Sequence, residues 1–189
     1  MNVPRLAHPA ALLRMGLHRY LGWEQAVTLA ANRLSGFRPV RAVFATASRL
    51  GDGIGWYALL FWLAWRDGLA AFQPVGWMLA TALAGLLLYW SIKKLTARPR
   101  PCAVCDGIRL SVPPLDKYSF PSGHTLHAVN FSVQLLAYAP ELAWLVVPFA
   151  LLVAASRMVL GLHYLSDVLA GALLGGLLAG LALLAQAGG

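Results

Sequence analysis

The order of apolar and polar positions predicts five helical segments in the last two thirds of the chain. Each is a run of apolar residues bounded by polar or glycine-containing turns, and together they cover residues 54–65 with an extension to 72, 75–92, 126–139, 142–160 and 165–187. A bilayer-spanning helix needs about 20 apolar residues, and most of these segments approach that length. The third is short, so its polar residues Asn130 and Gln134 are expected to face the interior of the bundle.

The first 50 residues have a different pattern. Seven arginines recur there among short apolar patches, and no stretch approaches spanning length. This pattern predicts amphipathic helices on a membrane surface, at about 23–35 and 39–49. A glycine-rich turn follows, in which Asp52 is expected to cap the next helix. We therefore divide the chain into a basic amphipathic segment, 1–50, and a membrane-embedded domain, 51–189.

Composition supports a membrane location. The chain is 59% hydrophobic and 12% charged, whereas soluble domains carry about 25% charged residues. We predict an all-α integral membrane bundle of about five transmembrane helices, preceded by interfacial amphipathic helices. The net charge of +8 suits anionic headgroups or a phosphorylated substrate better than nucleic acid in such a chain.

The last apolar segment carries a stripe of small residues. The glycines recur at spacings of four and five, at Gly171, Gly175, Gly176 and Gly180. Small residues on one face allow two helices to approach closely in lipid.

Alternation of the apolar segments predicts where the remaining polar residues meet. The second segment ends near Lys93, the third begins near His124, the fourth ends near Arg157 and the fifth begins near His163. If each segment crosses the membrane once, these four points lie on one face. Three polar stretches that are distant in sequence, 93–101, 121–124 and 156–167, are then brought to one mouth.

The residue types at this mouth favour a phosphate ester. The guanidinium groups of Arg100 and Arg157 match phosphate oxygens bidentately, and Lys93 adds a point charge. Ser122 and Gly123 begin a helix whose free backbone N–H groups attract an anion. Taken singly, basic residues at helix ends also contact lipid headgroups, and Ser122 also suits a simple helix cap.

Two histidines with separate roles complete the set. His163 and Asp167 are four residues apart, so on a helix they share one face. Asp167 can then fix the imidazole of His163 for nucleophilic attack, while His124 protonates the leaving oxygen. A structural hydrogen-bonded pair is the alternative interpretation of His163 and Asp167.

Metal ligands are sparse near this mouth. A two-metal site needs several clustered carboxylates or histidines, and only Asp106, Asp116 and His127 are available beyond the set. We predict chemistry without a metal or cofactor. Cys102 and Cys105 form a lone CxxC pair that fits a redox pair, a local disulfide or two unpaired thiols, and they receive no role.

Three spaced motifs identify a family resemblance. They are Lys93-x6-Arg100-Pro101, Pro121-Ser122-Gly123-His124 and Ser156-Arg157-x5-His163-x3-Asp167. Together they resemble the signatures of the type 2 phosphatidic acid phosphatase superfamily, which also includes the vanadium haloperoxidases. The motifs span residues 93–167, and the apolar segments fit the core bundle of that family.

The resemblance implies a role for each motif residue. His163 is expected to be the nucleophile, with Asp167 orienting it. His124 is expected to act first as general acid and then as the base that activates water. The phosphoryl oxygens are expected to contact five residues: Lys93, Arg100, Ser122, Gly123 and Arg157.

The resemblance also implies a substrate class and a location. Bacterial membrane members act on undecaprenyl diphosphate, phosphatidylglycerol phosphate, phosphatidic acid or lipid A phosphates, and the small five-span layout is most similar to the undecaprenyl diphosphate type. The expected partners are a lipid phosphate and membrane lipids, in a bacterial inner membrane with the site facing the periplasm. A haloperoxidase is disfavoured because members of that branch are larger and soluble. A non-catalytic binder or transporter is disfavoured because anion binding needs no nucleophilic histidine.

Overall fold

The computed structural model describes residues 9–188, which fold into eight α-helices joined by short turns and one long loop. The helices are α1 (Pro9–Arg33), α2 (Arg38–Arg49), α3 (Gly55–Asp67), α4 (Phe72–Thr96), α5 (Pro101–Val104), α6 (Gly123–Tyr138), α7 (Ala143–Val159) and α8 (Leu165–Ala187). The five predicted apolar segments correspond to α3, α4, α6, α7 and α8. The long loop between α4 and α6 contains the short helix α5.

The outer surface of the bundle is that of a membrane protein. Within the described residues, three helical stretches are long and apolar enough to span a bilayer: Arg38–Thr96, Pro140–Val159 and Leu165–Ala187. The first of these reverses direction between α3 and α4. Large apolar side chains such as Leu83 and Leu173 face outward, and an apolar surface of this extent requires lipid around it.

Helix α6 lies at the centre of the bundle, in contact with α4, α7 and α8. Its polar residues point inward as predicted: the amides of Asn130 and Gln134 donate to the hydroxyl of Thr81 at 3.0 and 2.9 Å. All three side chains are buried. Because polar groups inside an apolar bundle need hydrogen-bond partners, this cluster fixes the register of α6 against α4.

Helix α8 packs directly on the backbone of α6. A Cβ atom added to Gly171 would lie 2.4 Å from the carbonyl oxygen of Ser122, and one added to Gly175 would lie 2.2 Å from that of Leu126. These two glycines confirm the predicted close approach. Gly176 and Gly180 do not contribute, because a Cβ atom there would meet nothing closer than 3.9 Å.

The predicted extension of the first apolar segment to Phe72 is wrong. Helix α3 ends at Asp67 because Gly68 has a φ of 58°, a conformation that glycine adopts at low cost. Arg66 pairs there with Asp67 and, at 2.5 Å, with Glu141 in the turn between α6 and α7. This ion-pair cluster lies at the end of the bundle opposite His124.

The basic N-terminal segment forms two helices, and the first begins earlier than predicted. Helix α1 starts at Pro9 rather than near residue 23. It continues through Gly22, because a glycine within a helix costs only about 1 kcal/mol. Residues 1–8 lie outside the described part of the chain. Helix α2 matches the predicted 39–49.

Both N-terminal helices pack against the end of the bundle where α7 terminates and α8 begins. The amide of Asn32 in α1 donates to the carbonyl oxygens of Val159 and Arg109, each at 2.9 Å. Ser48 in α2 accepts a hydrogen bond from Arg157. The segment before residue 50 therefore contributes side chains close to the predicted site.

Candidate active site

The ends of four helices meet around one cavity of about 320 Å³. These are the C-terminal ends of α4 and α7 and the N-terminal ends of α6 and α8, as the alternation of segments requires. Six of the eight predicted site residues line the cavity: Lys93, Arg100, Gly123, His124, Arg157 and His163. Asp167 and Ser122 lie behind this lining.

The imidazole of His163 has one nitrogen toward Asp167 and the other toward Arg100. Nδ1 lies 3.5 Å from Oδ2 of Asp167, and Nε2 lies 3.1 Å from Nη1 of Arg100. Since a guanidinium only donates hydrogen bonds, this contact assigns the lone pair to Nε2 and the proton to Nδ1. The lone pair on Nε2 therefore accepts a hydrogen bond from Arg100, which lines the cavity together with His163.

The surroundings of His163 keep its ring neutral. The side chain is 2% exposed, and burial, followed by the charges of Arg157, Arg100 and Lys93, lowers its pKa well below the usual value. A neutral imidazole has the lone pair that a nucleophile needs. Protonation of the free ring therefore does not compete with attack at neutral pH.

Two hydrogen bonds hold Asp167, whereas its 3.5 Å contact with His163 is an ion-pair distance only. Its Oδ2 accepts from the backbone N–H of Tyr164 at 2.9 Å, and its Oδ1 accepts from Nη1 of Arg98 at 2.7 Å. The carboxylate is fully buried. Arg98 lies within the spacer of the first motif, and the motif pattern assigns it no role.

Lys93 and Arg100 share an acidic partner, Asp116, which the sequence offers only as one of the few carboxylates near the mouth. Nζ of Lys93 lies 2.7 Å from Oδ2 of Asp116, and Nη2 of Arg100 lies 2.9 Å from Oδ1 of the same residue. Burial by itself would raise the pKa of Asp116, but the hydrogen bond from Lys93 and the charges of Lys93 and Arg100 lower it below the usual value. The two cations are thereby held at the edge of the cavity.

Arg157 is buried against α2, and its guanidinium is not fully hydrogen-bonded by the described residues. One terminal N–H group donates to Ser48, whereas Nε meets no hydrogen-bond partner among the described residues. An unsatisfied buried donor is costly, so this guanidinium is suited to an anionic ligand in the cavity. The spacing of residues in the sequence contains no signal for the contact with Ser48.

His124 lies beside Asp52, and both residues line the cavity. Its Nε2 lies 3.6 Å from Oδ1 of Asp52. The expected capping role of Asp52 is wrong, because the next helix begins without a side-chain cap and Asp52 lies in a kink beside Gly53, which has a φ of 117°. The kink turns the carboxylate toward the histidine.

Ser122 and Gly123 form the start of α6. The Ser122 hydroxyl is fully buried and bonds within the helix, 2.9 Å from Oγ1 of Thr125 and 3.4 Å from its backbone nitrogen. Gly123 lines the cavity, and a Cβ atom there would lie 3.1 Å from the ring of Tyr89. A larger residue here would require the Tyr89 ring to shift by a few tenths of an ångström.

The two cysteines are free thiols in and beside α5. The sulfur of Cys105 lies 3.4 Å from the hydroxyl oxygen of Tyr164. Neither cysteine lines the cavity.

The other half of the cavity is apolar and lies between α3 and α4. Its wall is formed by aromatic and aliphatic side chains: Trp56, Tyr57, Leu79, Ala82, Leu83, Leu86 and Phe131. Several of these side chains are accessible, Leu83 to 58%. The cavity therefore extends from the polar helix ends along an apolar wall formed by α3, α4 and α6.

A second cavity of about 330 Å³ adjoins the first on the side of α2. Both cavities are lined by Asp52, His124 and Arg157. The polar end of the site is thus accessible from two directions.

Comparison with known proteins gives matches over most of the bundle. A model of the PAP2 superfamily matches residues 74–188. The chain is 33% identical over 114 residues to undecaprenyl-diphosphatase BcrC of Bacillus subtilis (strain 168), covering 60% of this chain and 58% of that protein. It is 38% identical over 84 residues to an undecaprenyl-diphosphatase of Sulfolobus acidocaldarius, covering 44% of this chain and 41% of the relative. The matched regions thus span between two fifths and three fifths of these relatives.

Two solved structures share the fold. Aquifex aeolicus LpxE superposes with a TM-score of 0.73 at 24% identity, covering 84% of this chain and 93% of that structure. A transmembrane PAP2-type phosphatidylglycerolphosphate phosphatase from Bacillus subtilis superposes with a TM-score of 0.68 at 25% identity, covering 91% of this chain and 89% of that structure.

Proposed function

This chain belongs to the PAP2 superfamily, and we propose that it is a membrane enzyme that hydrolyses a lipid phosphate through a phosphohistidine, without a metal. One observation carries the proposal. His163, whose Nε2 lies beside Arg100, lines a cavity that is cationic at one end and apolar at the other. A phosphate bound at the cationic end places its lipid tail in the apolar half.

The first chemical step is attack by Nε2 of His163 on phosphorus. A P–N bond forms as the bond between phosphorus and the leaving oxygen breaks, and the electron pair of that bond stays on the oxygen. Lys93, Arg100 and Arg157 stabilise the charge on the phosphoryl oxygens. His124 supplies a proton to the leaving oxygen, and Asp167 stabilises the positive ring of His163.

The second step releases phosphate. His124, now neutral, removes a proton from water as the water oxygen attacks phosphorus. The P–N bond breaks, its electron pair returns to Nε2, and inorganic phosphate leaves. Asp52, 3.6 Å from His124, favours the protonated ring that this step produces.

The substrate class follows from the shape of the cavity and from the relatives. The apolar wall suits a long hydrocarbon chain. Two relatives are named undecaprenyl-diphosphatases, so undecaprenyl diphosphate is the first candidate, with phosphatidylglycerol phosphate and phosphatidic acid as the others. As the motif resemblance implies, we also propose a location in a bacterial inner membrane with the site facing the periplasm.

An assay of the purified protein against a panel of lipid phosphates tests the proposal. The panel contains undecaprenyl diphosphate, phosphatidylglycerol phosphate and phosphatidic acid, in mixed micelles with EDTA present throughout. We expect release of inorganic phosphate from at least one, because the cationic residues supply the charge stabilisation that a metal otherwise gives. Binding of these lipids without phosphate release would identify a non-catalytic binder, and activity that depends on added metal would contradict the mechanism.

Narrowing the apolar half of the cavity should weaken binding of the lipid tail. We expect Leu83→Trp to raise KM for a lipid phosphate by about tenfold, because overfilling an apolar site costs about 1–3 kcal/mol. Hydrolysis of a short, water-soluble phosphomonoester should change little. Leu173→Trp is the matched control, since Leu173 is also an exposed leucine but does not line the cavity. An equal effect of both substitutions would place the tail elsewhere.

A further inference from the structure

Arg98 contacts Asp167 but does not line the phosphate cavity. Its Nη1 donates to Oδ1 of Asp167 and to the hydroxyl of Ser166, each at 2.7 Å. Its Nη2 lies 2.6 Å from Oε2 of Glu24, and its guanidinium lies 4.1 Å from the centre of the Tyr164 ring. Arg98 thus bridges two carboxylates, of which only Asp167 contacts His163.

Glu24 comes from α1, far from the signature motifs in sequence. Its side chain is 1% exposed, and both oxygens are used. Oε2 accepts from Arg98, while Oε1 accepts from the backbone N–H of Ser166 at 3.0 Å and from the Ser166 hydroxyl. Glu24 therefore contacts the first turn of α8, one residue before Asp167.

The charges of these residues have a consequence for His163. A lone guanidinium beside Asp167 would neutralise the carboxylate and weaken its attraction for the imidazolium that forms when phosphorus is attacked. With Glu24 present, the three charged groups sum to −1 instead of zero. Charges several ångströms apart in a partly buried site still interact by kilocalories per mole. The net charge of these three groups is therefore expected to change the stability of the His163 imidazolium.

We propose that Glu24 is a positioning residue for the reaction: through Arg98 and Ser166 it orients Asp167 and keeps a net negative charge behind His163. The proposal rests on the proposed function, in which His163 is the nucleophile. It gives the N-terminal helix α1 a part in catalysis without any contact between α1 and substrate. We refer to Glu24, Arg98 and Asp167 as the charged cluster.

Charge-neutralising variants of the charged cluster distinguish an electrostatic role of Glu24 from a role in packing alone. Glu24→Gln should lower kcat by about 10- to 100-fold, as loss of a partner that orients a site residue often does, with KM nearly unchanged. It should also move the acid limb of kcat/KM to lower pH, by about one unit, because His163 loses a negative charge that favours its protonated form. Arg98→Gln removes a positive charge and should move the same limb to higher pH.

The double variant Glu24→Gln/Arg98→Gln provides the decisive comparison. It restores the sum of −1, so its acid limb should return close to that of the unmodified protein even if kcat stays low. The other charged or titratable groups around His163 are Lys93, Arg100 and Arg157, then His124, and Asp116 as the partner of Arg100, and they are the same in every variant. Shifts in one direction only, or no shift with parallel losses of kcat and thermal stability, would show that Glu24 is merely structural.

Two controls keep the result interpretable. Ser166→Ala removes hydrogen bonds but no charge, so its acid limb should stay in place. Glu141→Gln makes the same chemical change in an exposed ion pair at the opposite end of the bundle, and its kinetics should match those of the unmodified protein. A shift in either control would overturn the charge argument.

Titration of His163, which needs no catalysis, distinguishes failure of the proposal for the charged cluster from failure of the proposed function. The protein labelled with ¹⁵N-histidine is titrated in detergent, and the His163 signal is assigned by its loss in His163→Gln. The ring should titrate at lower pH in Glu24→Gln and at higher pH in Arg98→Gln, whether or not any lipid is hydrolysed. If the unmodified protein released no phosphate, the proposed function would be rejected. If His163 titrated at the same pH in both variants as in the unmodified protein, the role of the charged cluster would be rejected.

Discussion

His163→Ala should abolish phosphate release, with turnover lowered by at least about 10⁴-fold, since losing a covalent nucleophile costs this much or more. The reason is geometric. The lone pair on Nε2 of His163 faces Arg100 at 3.1 Å, while Nδ1 faces Asp167. The ring is also kept neutral by burial and by three nearby cations. No other imidazole in the described residues combines a fully buried carboxylate neighbour with a ring nitrogen beside the cations of the cavity.

The measurement is release of inorganic phosphate from the best lipid of the panel, under saturating conditions. His127→Ala is the matched control, because it removes a second imidazole from the same cavity that has no carboxylate partner in the described residues. We expect that control to retain most of its turnover. Turnover above about one per cent in His163→Ala, from protein that elutes normally in gel filtration, would reject the nucleophile assignment.

Arg157→Ala should lower kcat by about 10²- to 10³-fold, as removal of a single transition-state donor does. The guanidinium is 3% exposed, and its Nε meets no partner in the described residues. Arg157 also forms no ion pair there, so its removal leaves no buried carboxylate without a cation. We therefore expect the loss to appear in catalysis rather than in folding.

Two substitutions accompany the Arg157→Ala measurement. Arg157→Lys keeps the charge but loses the fork geometry, and it should recover only part of the activity. Ser48→Ala removes the hydroxyl that holds the guanidinium, and it should cost about tenfold or less. A loss of less than about fivefold in Arg157→Ala would mean that the phosphoryl group is bound without this residue.

The bundle and the site lining were predictable because alternation is a strong constraint. Apolar segments that cross a membrane in turn must bring the end of α4 and the start of α6 to the same face, together with the end of α7 and the start of α8. That placed Lys93, His124, Arg157 and His163 around one cavity without knowledge of helix packing. The glycine spacing in α8 similarly predicted its close contact with α6.

The supporting residues could not be predicted, because they depend on how loops and surface helices fold back. Asp116 lies in the long loop, and nothing in its spacing shows that it meets Lys93 and Arg100. Asp52 has the sequence context of a helix cap, yet a kink turns it toward His124. Glu24 lies on a basic, amphipathic helix, where a single acidic residue ordinarily faces solvent.

Trapping of the covalent intermediate tests most directly whether the convergent helix ends form a phosphoryl-transfer site. In His124→Ala, a phosphate ester with an activated aryl leaving group needs no general acid, so His163 should still be phosphorylated while hydrolysis of the intermediate is slow. Denaturation in alkali, which preserves phosphohistidine, is followed by proteolysis and mass spectrometry. We expect phosphate on the peptide that contains His163, and on no peptide of the His163→Ala/His124→Ala variant. Phosphate on another residue, or aryl alcohol released over many turnovers with no label on His163, would contradict the account.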